Sequence, residues 1–315
     1  MDYSKDKILV AIHCLVYNHE PYLRDCFEGF VMQKTNFRFV AIVHEDCSTD
    51  NSAAVIREYE TKYPEIFRPI YETENQYSKH DGSLERIMND AIDATGAKYV
   101  AMCEGDDYWT DSCKLQKQVD FLEMHPDFSM CCHGADVRNE TIRKIDCACE
   151  KMTTREYFQN DAFPTWQIPT ASIVYRYQEV LRFPIMHEEN FVAGDVVLIL
   201  RCMAVGRVWG MQEHMSVYRM NPGGLTSANA TIQTRLQQCK HYEALISNFP
   251  NLEKDYCNRF AAMTYYTCFR NRVEEINPLK ALYLAFKHKP SYVFKKIFKI
   301  KNKHRDDLFF QHYGC

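Results

Sequence analysis

The chain has 315 residues, of which 46% are hydrophobic and 25% charged, with a formal net charge of −4. This composition is typical of a globular protein with a sizeable core and excludes a disordered chain. The charge gives no case for nucleic-acid binding, and we expect no nucleic-acid partner.

Apolar runs and helical spacings alternate along the first part of the chain. This alternation predicts an α/β fold with a mostly parallel central sheet flanked by helices. Ligands of such sheets bind beyond the carboxyl ends of the strands. The predicted elements, strand and helix in turn, are 8–16, 21–33, 37–44, 52–63, 66–71, 84–94, 99–103 and 114–124.

Three carboxylates, Glu104, Asp106 and Asp107, follow the predicted strand 99–103 in the segment CEGDDYW. Like charges this close repel one another unless a positive charge lies among them. A hard divalent cation that binds a phosphorylated ligand is the simplest such charge. The alternative is an acidic surface loop that caps the next helix.

Polar residues also follow the first two predicted strands. Tyr17 and Asn18 follow the first strand, and Glu45 and Asp46 follow the second. We expect Ser48 to Asp50 to cap the following helix. Glu45 and Asp46 precede that cap, so we expect them to point into the crevice, where a carboxylate accepts hydrogen bonds from a base or a ribose.

The usual nucleotide-binding motifs are absent from the sequence. No GxGxxG follows the first predicted strand, and no GxxxxGK[ST] occurs anywhere. Phosphates are therefore expected to be held by a metal ion, in agreement with the acidic segment.

Three segments resemble, in order and spacing, the successive signatures of glycosyltransferase family 2, of the bacterial surface-polysaccharide type. They are VYNHEPYLRDCFEGFVMQ, HEDCSTDNSAAVIREY and AKYVAMCEGDDYWTDSCKLQKQ. The resemblance covers about the first 220 residues. It implies a GT-A fold and inverting, Mn²⁺- or Mg²⁺-dependent sugar transfer from a UDP or GDP sugar.

The resemblance also implies roles for single residues. Tyr17 stacks on the donor base, Asp46 reads its edge, and Glu104 and Asp106 bind the metal. Two departures are the glutamates at 45 and 104, where the family has aspartate. The implied donor-binding set is Val16, Tyr17, Asn18, Glu45, Asp46, Glu104, Gly105 and Asp106.

The family's arginine on the third helix is absent, since Ile87-Met88-Asn89 stands there. Contact with the diphosphate therefore falls to Arg86, Lys79 or Arg219 as open alternatives.

A general base is predicted at Asp195. In NFVAGDVVLILRC this aspartate directly precedes an apolar helix, as the base of the resembled family does. Inverting transfer needs one carboxylate to deprotonate the attacking hydroxyl. The same residue is also a suitable helix cap, and the two roles do not conflict.

Four residues are weaker candidates for contact with the acceptor or the transferred sugar. Trp109 is either a core aromatic or a platform for a sugar ring. His214 either approaches the metal or acceptor or is structural. The Asn221-Pro-Gly-Gly turn reads as a mobile loop that folds over the donor. The four candidates are Asp107, Trp109, His214 and Arg219.

Helical spacing replaces the strand pattern near residue 228. We predict a catalytic domain at 1–227, with a donor half at about 1–110 and an acceptor half at about 111–227. A helical region at 228–315 follows, with helices at 232–249 and 256–273. Its basic, aromatic-rich stretch at 280–305 suits an anionic membrane surface; the alternatives are a solvated helix face or a partner subunit.

The predicted function is transfer to a saccharide or lipid-linked saccharide hydroxyl in polysaccharide synthesis. The scattered cysteines and the lack of a leader or a spanning segment predict a cytoplasmic protein, peripheral on the inner face of the membrane. The alternative is a non-catalytic subunit that binds nucleotide sugars or glycans. A nucleotidyltransferase is disfavoured because a glycine- and lysine-rich phosphate loop is missing.

Overall fold

A computed structural model describes residues 7–79, 81–141, 144–146, 152–164, 167–221 and 231–298. They fall into two units. The first comprises the described residues of Met1–Pro184 and Asp195–Met220, and the second those of Ile185–Gly194 and Asn221–Cys315. The predicted boundary near residue 227 lies outside the described residues and stays a prediction.

The first unit is built on a mixed sheet. Its strand order within the described residues is β3-β2-β1-β4-β9-β6-β10-β5, with β7 beside β6 and β8 beside β10. The strands are β1 Ile8–Val16, β2 Arg38–Glu45, β3 Phe67–Tyr71, β4 Tyr99–Met102, β5 Tyr108–Trp109, β6 Phe128–Asn139, β7 Lys144–Asp146, β8 Arg155–Tyr157, β9 Val174–Arg176 and β10 Arg207–Met220.

Helices flank this sheet and form the second unit, which confirms the predicted α/β class and the helical C-terminal region. In the first unit they are α1 Leu23–Val31, α2 Ser52–Lys62, α3 Ser83–Asp93, α4 Lys114–Met124, α5 Gln159–Ala162, α6 Tyr177–Leu181 and α7 Gly194–Val205. In the second they are α8 Ile232–Asn248, α9 Lys254–Asn271, α10 Pro278–His288 and α11 Pro290–Ile297.

The three strands that precede the candidate donor-binding loops run parallel. β1 lies between β2 and β4 and pairs with both in parallel, so that Val16 lies opposite Glu45 at the end of the β1–β2 ladder. β9 is antiparallel to both β4 and β6, an insertion that the sequence analysis did not predict. Because β1, β2 and β4 point the same way, the loops after them meet at one edge of the sheet.

The core explains why β1 is mostly apolar. Alternate residues from Val10 to Val16 are buried on one face, and the other face is buried at Ala11 and partly buried elsewhere, as expected for a parallel strand with helices on both sides. On one side, Phe27 and Phe30 of α1 pack their rings against Phe67 at 5.0 Å and Trp109 at 4.9 Å between centroids. This aromatic cluster fixes α1 under the loops that follow β1 and β4.

The second unit has a separate core. It is formed by Cys239, Ala261, Tyr265, Ala285 and Val293, so all four helices contribute. The predicted helices 232–249 and 256–273 correspond to α8 and α9. No helix in the described part of the chain is long and apolar enough to cross a bilayer.

Candidate active site

The loop after β1 is bound tightly to the loop after β2. Asn18 takes a positive φ of 55°; its N–H donates to Oγ of Ser48 at 3.0 Å, and its Oδ1 accepts the N–H of Thr49 at 2.8 Å. Ser48 and Thr49 therefore bind the neighbouring loop instead of capping α2, which corrects their predicted role. The N-cap is Asn51, and Asp50 accepts the N–H of Ser52. Tyr17 is left 45% exposed beside this junction.

The two carboxylates at the end of β2 are buried and have backbone partners. Oε1 of Glu45 accepts the N–H of Ser48 at 2.7 Å. Oδ1 of Asp46 accepts the N–H of Gln76 at 2.6 Å, and Oδ2 accepts that of Tyr77 at 3.0 Å. Asp46 thus anchors the 3₁₀ turn Tyr77–Lys79 against the sheet edge.

The loop after β4 passes close to the loop after β1. A Cβ on Gly105 would lie 2.8 Å from Nδ1 of His19 and 2.9 Å from Cγ2 of Val16, so only glycine fits there. Nε2 of His19 lies 3.9 Å from Oδ2 of Asp106. This close approach brings the carboxylates of the β4 loop next to the end of β1.

Three carboxylates converge beyond this loop. Burial, reinforced by Asp106 and then by Asp195, raises the pKa of Glu104 to about 8. Asp195 lies in the first turn of α7, where its Oδ2 is 3.5 Å from Oγ1 of Thr170. The predicted metal ligands and the predicted base are therefore close enough to affect one another electrostatically.

This donor set fits a hard divalent cation. Carboxylate oxygens suit Mn²⁺ and Mg²⁺, and a cation offsets the repulsion that raises the pKa of Glu104. Within the described residues, no group of three or more His, Cys, Asp or Glu side chains is arranged to hold a metal alone. A cation held by Glu104 and Asp106 would therefore need further ligands, as is usual for ions that bind together with substrate phosphates.

Asp107 and Arg219 form the buried support of the loop. Oδ1 of Asp107 accepts the N–H of Arg219 at 2.8 Å, and Nη1 of Arg219 donates to the carbonyl of Asp106 at 2.8 Å. The guanidinium also pairs with Asp25 and with Glu140, and the side chain is 2% exposed. These contacts give Arg219 and Asp107 a positioning role, which corrects their prediction as acceptor contacts.

Trp109 is a core residue, so the sugar-platform alternative is wrong. It is 2% exposed, and its Nε1 donates to the carbonyl of Ala171 at 2.9 Å. The indole thereby links the β4 loop to the 3₁₀ turn Thr170–Ser172, whose first residue contacts Asp195.

His214 has a structural partner. Its Nδ1 lies 2.6 Å from Oδ1 of Asp136, and its ring packs against Gly134 on the neighbouring strand β6. The contact with Asp136 favours the structural alternative for this histidine.

The alternative diphosphate contacts lie near the 3₁₀ turn that Asp46 anchors. Nζ of Lys79 donates to Oε1 of Glu74 at 2.5 Å and to Oε1 of Gln76 at 2.9 Å. Nη1 of Arg86 donates to the carbonyl of Asp81 at 3.0 Å.

Two predicted features lie outside the described residues. They are the turn predicted after Asn221, which falls in residues 222–230, and residues 299–305 of the basic stretch.

Sequence reasoning missed His19, Thr170 and Asp25. His19 had a usable signal, because it directly follows the Tyr17–Asn18 pair at the end of a predicted strand. Thr170 and Asp25 had none, since their partners Asp195 and Arg219 are 25 and 194 residues away.

Comparisons with known proteins show the family to which the chain belongs. The family model "Glycosyl transferase family 2" matches residues 12–181. The Mycobacterium tuberculosis protein Rv1520 is 34% identical over 219 residues, which are 69% of this chain and 60% of that protein. The chain therefore spans 60% of the length of its mycobacterial relatives. The Bacillus subtilis "putative teichuronic acid biosynthesis glycosyltransferase TuaG" is 30% identical over 116 residues, 37% of this chain and 42% of TuaG.

Solved structures share the fold. The S. aureus TarS 1–349 structure with UDP-GlcNAc has a TM-score of 0.60 at 16% identity, covering 91% of this chain and 83% of that one. The mannosyltransferase PcManGT from Pyrobaculum calidifontis, with GDP-Man and Mn²⁺, has a TM-score of 0.53 at 13% identity, covering 94% and 88%. The predicted GT-A fold is confirmed.

Proposed function

The chain belongs to glycosyltransferase family 2, and we propose that it transfers a sugar, with inversion, from a UDP or GDP sugar to an acceptor hydroxyl. The reaction depends on Mn²⁺ or Mg²⁺, and the acceptor is a saccharide or lipid-linked saccharide of polysaccharide synthesis. The convergence of Glu104, Asp106 and Asp195 at one sheet edge carries this proposal. It supplies a cation site and a base within one charged cluster.

The donor is held by the loops after β1 and β2. Tyr17 offers an exposed ring on which a base stacks, an interaction worth about 1–3 kcal/mol. Asp46 lies next to it, already oriented by two backbone amides. The two nucleotide sugars seen in the fold neighbours, UDP-GlcNAc and GDP-Man, support a nucleoside diphosphate as the leaving group.

The residues of the β4 loop hold the diphosphate end of the donor. Glu104 and Asp106 bind the cation, which when bound acts as a Lewis acid on the leaving diphosphate. Gly105 allows the loop to approach the end of β1, and the guanidinium of Arg219 donates a hydrogen bond to the Asp106 carbonyl. The chain's part in this step is therefore to fix the two carboxylates before the donor arrives.

Asp195 is the general base. Its carboxylate is partly exposed at the start of α7, where its Oδ1 accepts the N–H of Val196 at 2.8 Å. The carboxylate takes the proton of the acceptor hydroxyl as the hydroxyl attacks the anomeric carbon opposite the leaving group.

Turnover with a panel of nucleotide sugars tests the proposal. With Mn²⁺, the purified full chain is expected to release nucleoside diphosphate from at least one donor. Asp195→Asn is expected to lower kcat by about 100-fold or more, within the range for general-base catalysis, and to leave donor affinity unchanged. Asp90→Asn, at an exposed position of α3, is the matched control.

The alternative function gives the opposite result. If every donor fails to turn over while one or more bind measurably, the chain is a nucleotide-sugar-binding subunit. If Asp195→Asn retains the wild-type kcat, the base is another residue.

We also propose that the protein works in the cytoplasm, peripherally on the inner face of the membrane. The support is the exposed basic and apolar character of α10 and α11, which suits an enzyme whose acceptor carries a lipid.

A further inference from the structure

The helix α10 exposes large apolar side chains on one face. Leu279 is 75% exposed and Tyr283 is 66% exposed. They are four residues apart, so they lie one above the other on the helix surface. Phe286 follows one turn later and is partly exposed.

The apolar face continues onto α11. The rings of Phe286 and Phe294 meet edge to face with centroids 5.3 Å apart. Phe294 in turn stacks on Phe298, with centroids 6.2 Å apart and an interplanar angle of 14°. Leu279, Tyr283, Phe286, Phe294 and Phe298 form one feature, which we call the apolar strip.

The opposite faces of the two helices are fully occupied. Ala281, Ala285 and Val293 are completely buried, and the last two pack in the core with residues of α8 and α9. The apolar strip is thus the outer surface of well-packed helices. Contiguous exposed apolar side chains of this kind mark a contact site in soluble proteins.

The two helices that carry the strip have lysines and no acidic side chain of their own. Residues 277–298 contain five lysines and no acidic residue. Lys289 pairs with Asp255 of α9, whereas Lys280, Lys287, Lys295 and Lys296 are exposed. A docking partner therefore has to offer both an apolar phase and negative charge.

We infer that α10 and α11 dock on an anionic lipid surface through the apolar strip and these four lysines. The rings and Leu279 enter the boundary between headgroups and acyl chains, while the lysines contact the headgroups. A second copy of the chain is a poorer partner, because a two-fold contact would bring the lysines of both copies together with no acidic residue from 277–298 between them.

Vesicle co-sedimentation of the full chain, without donor or cation, tests the inference. The protein is expected to bind vesicles of phosphatidylcholine with 30% phosphatidylglycerol and not vesicles of pure phosphatidylcholine. Binding is expected to weaken as NaCl is raised.

Two double variants separate the contributions. Lys295→Glu/Lys296→Glu is expected to weaken binding by roughly 25-fold or more, since each basic side chain near such a surface contributes about fivefold. Phe294→Ser/Phe298→Ser is expected to weaken binding at both low and high salt. The matched charge control is Lys34→Glu/Lys62→Glu, at exposed positions of the first unit, and it is expected to keep at least half of the wild-type binding.

Several results would overturn the inference. They are an absence of binding to anionic vesicles, wild-type binding by both strip variants, and equal loss in the control. A dimer in solution that the strip variants dissociate, without vesicle binding, would assign the strip to self-association. Because no donor is used, any of these outcomes leaves the proposed sugar transfer untouched.

Discussion

The carboxylates that follow β2 and those that follow β4 lie at the same sheet edge but differ in how their charge is balanced. Glu45 and Asp46 receive backbone N–H groups of their own chain. Glu104 is instead partly buried, and two further carboxylates, Asp106 and Asp195, help to raise its pKa to about 8. The first pair is thus a structural anchor stabilised by backbone hydrogen bonds, whereas a ligand that brings positive charge would stabilise the second cluster.

The largest effects are expected when one carboxylate of each kind is replaced by its amide. Asp106→Asn is expected to lower kcat/KM by about 100-fold or more at fixed Mn²⁺, because it removes a carboxylate of the proposed cation site. Stability is expected to change by less than about 1 kcal/mol, since repulsion with Glu104 is relieved. Steady-state kinetics against Mn²⁺ and denaturant unfolding measure the two effects.

Asp46→Asn is the corresponding amide variant for the carboxylates at the end of β2. An amide has one acceptor oxygen for the two N–H groups of Gln76 and Tyr77, so unfolding is expected to become easier by about 1–3 kcal/mol. The Mn²⁺ concentration for half-maximal activity is expected to stay at the wild-type value. If Asp46→Asn raises this concentration and Asp106→Asn does not, the two groups have been assigned the wrong way round.

The sequence predicts where the two groups of carboxylates lie, because the strand ends follow from the local pattern of residues. Strands β1, β2 and β4 end at Val16, Glu45 and Met102, within one residue of the predicted strand ends, so the polar residues at these ends were placed at one edge correctly. Which carboxylates accept hydrogen bonds from the backbone was not predictable, because the N–H groups that donate to Asp46 come from a turn 30 residues later.

The same reason explains why Trp109 was left open and Arg219 was misassigned. Trp109 ends the two-residue strand β5 and Arg219 lies near the end of β10, and their partners are distant in sequence: Trp109 donates to Ala171, and Arg219 pairs with Asp25. A buried aromatic and a buried arginine look like surface candidates when only nearby residues are visible. Their burial arises from β5 and β10 pairing, which no local signal specifies.

Arg219 bears on the difference between the two groups of carboxylates, because it is a cation that the fold itself places at the loop after β4. Its guanidinium contacts the Asp106 carbonyl, Asp25 and Glu140 together, and a single ammonium cannot reproduce that geometry. Arg219→Lys is expected to lower kcat/KM by about tenfold and to raise the Mn²⁺ concentration for half-maximal activity. Arg138→Lys, which changes the other arginine paired with Glu140, is the control and is expected to shift neither value. Reduced thermal stability with an unchanged Mn²⁺ response would make Arg219 structural only.

Lys114 gives the smallest effect and tests whether another buried cation already balances the β4 loop. Its Nζ lies 4.0 Å from the ring centroid of Trp109, and within the described residues it has no hydrogen-bond partner. Burial lowers the pKa of Lys114 from 10.5 to about 7, the shift expected when no carboxylate stabilises the charged form. A lysine that neutralised Glu104 or Asp106 would show the opposite shift.

The sign of the pH dependence follows from that shift. Above pH 7 the unfolded chain keeps the proton on Lys114 while the folded chain loses it, so Lys114 raises the free energy of unfolding by about 1 kcal/mol between pH 7 and pH 8. Glu104, with its pKa raised to about 8, acts in the opposite direction over the same interval, because the folded chain still holds a proton there that the unfolded chain has lost. The contribution of Lys114 is therefore measured by urea unfolding as a difference between variants. From pH 7 to pH 8, the change in unfolding free energy is expected to be more negative by about 1 kcal/mol in Lys114→Met than in the wild type. It is expected to be unchanged in Lys117→Met, whose lysine is half-exposed and paired with Asp111. Lys114→Met is also expected to be more stable than the wild type at pH 7, because an unpaired buried charge is replaced by an apolar chain of similar length. A loss of stability in Lys114→Met at pH 7 would mean that this ammonium is paired after all, and that the β4 carboxylates have a cation of their own.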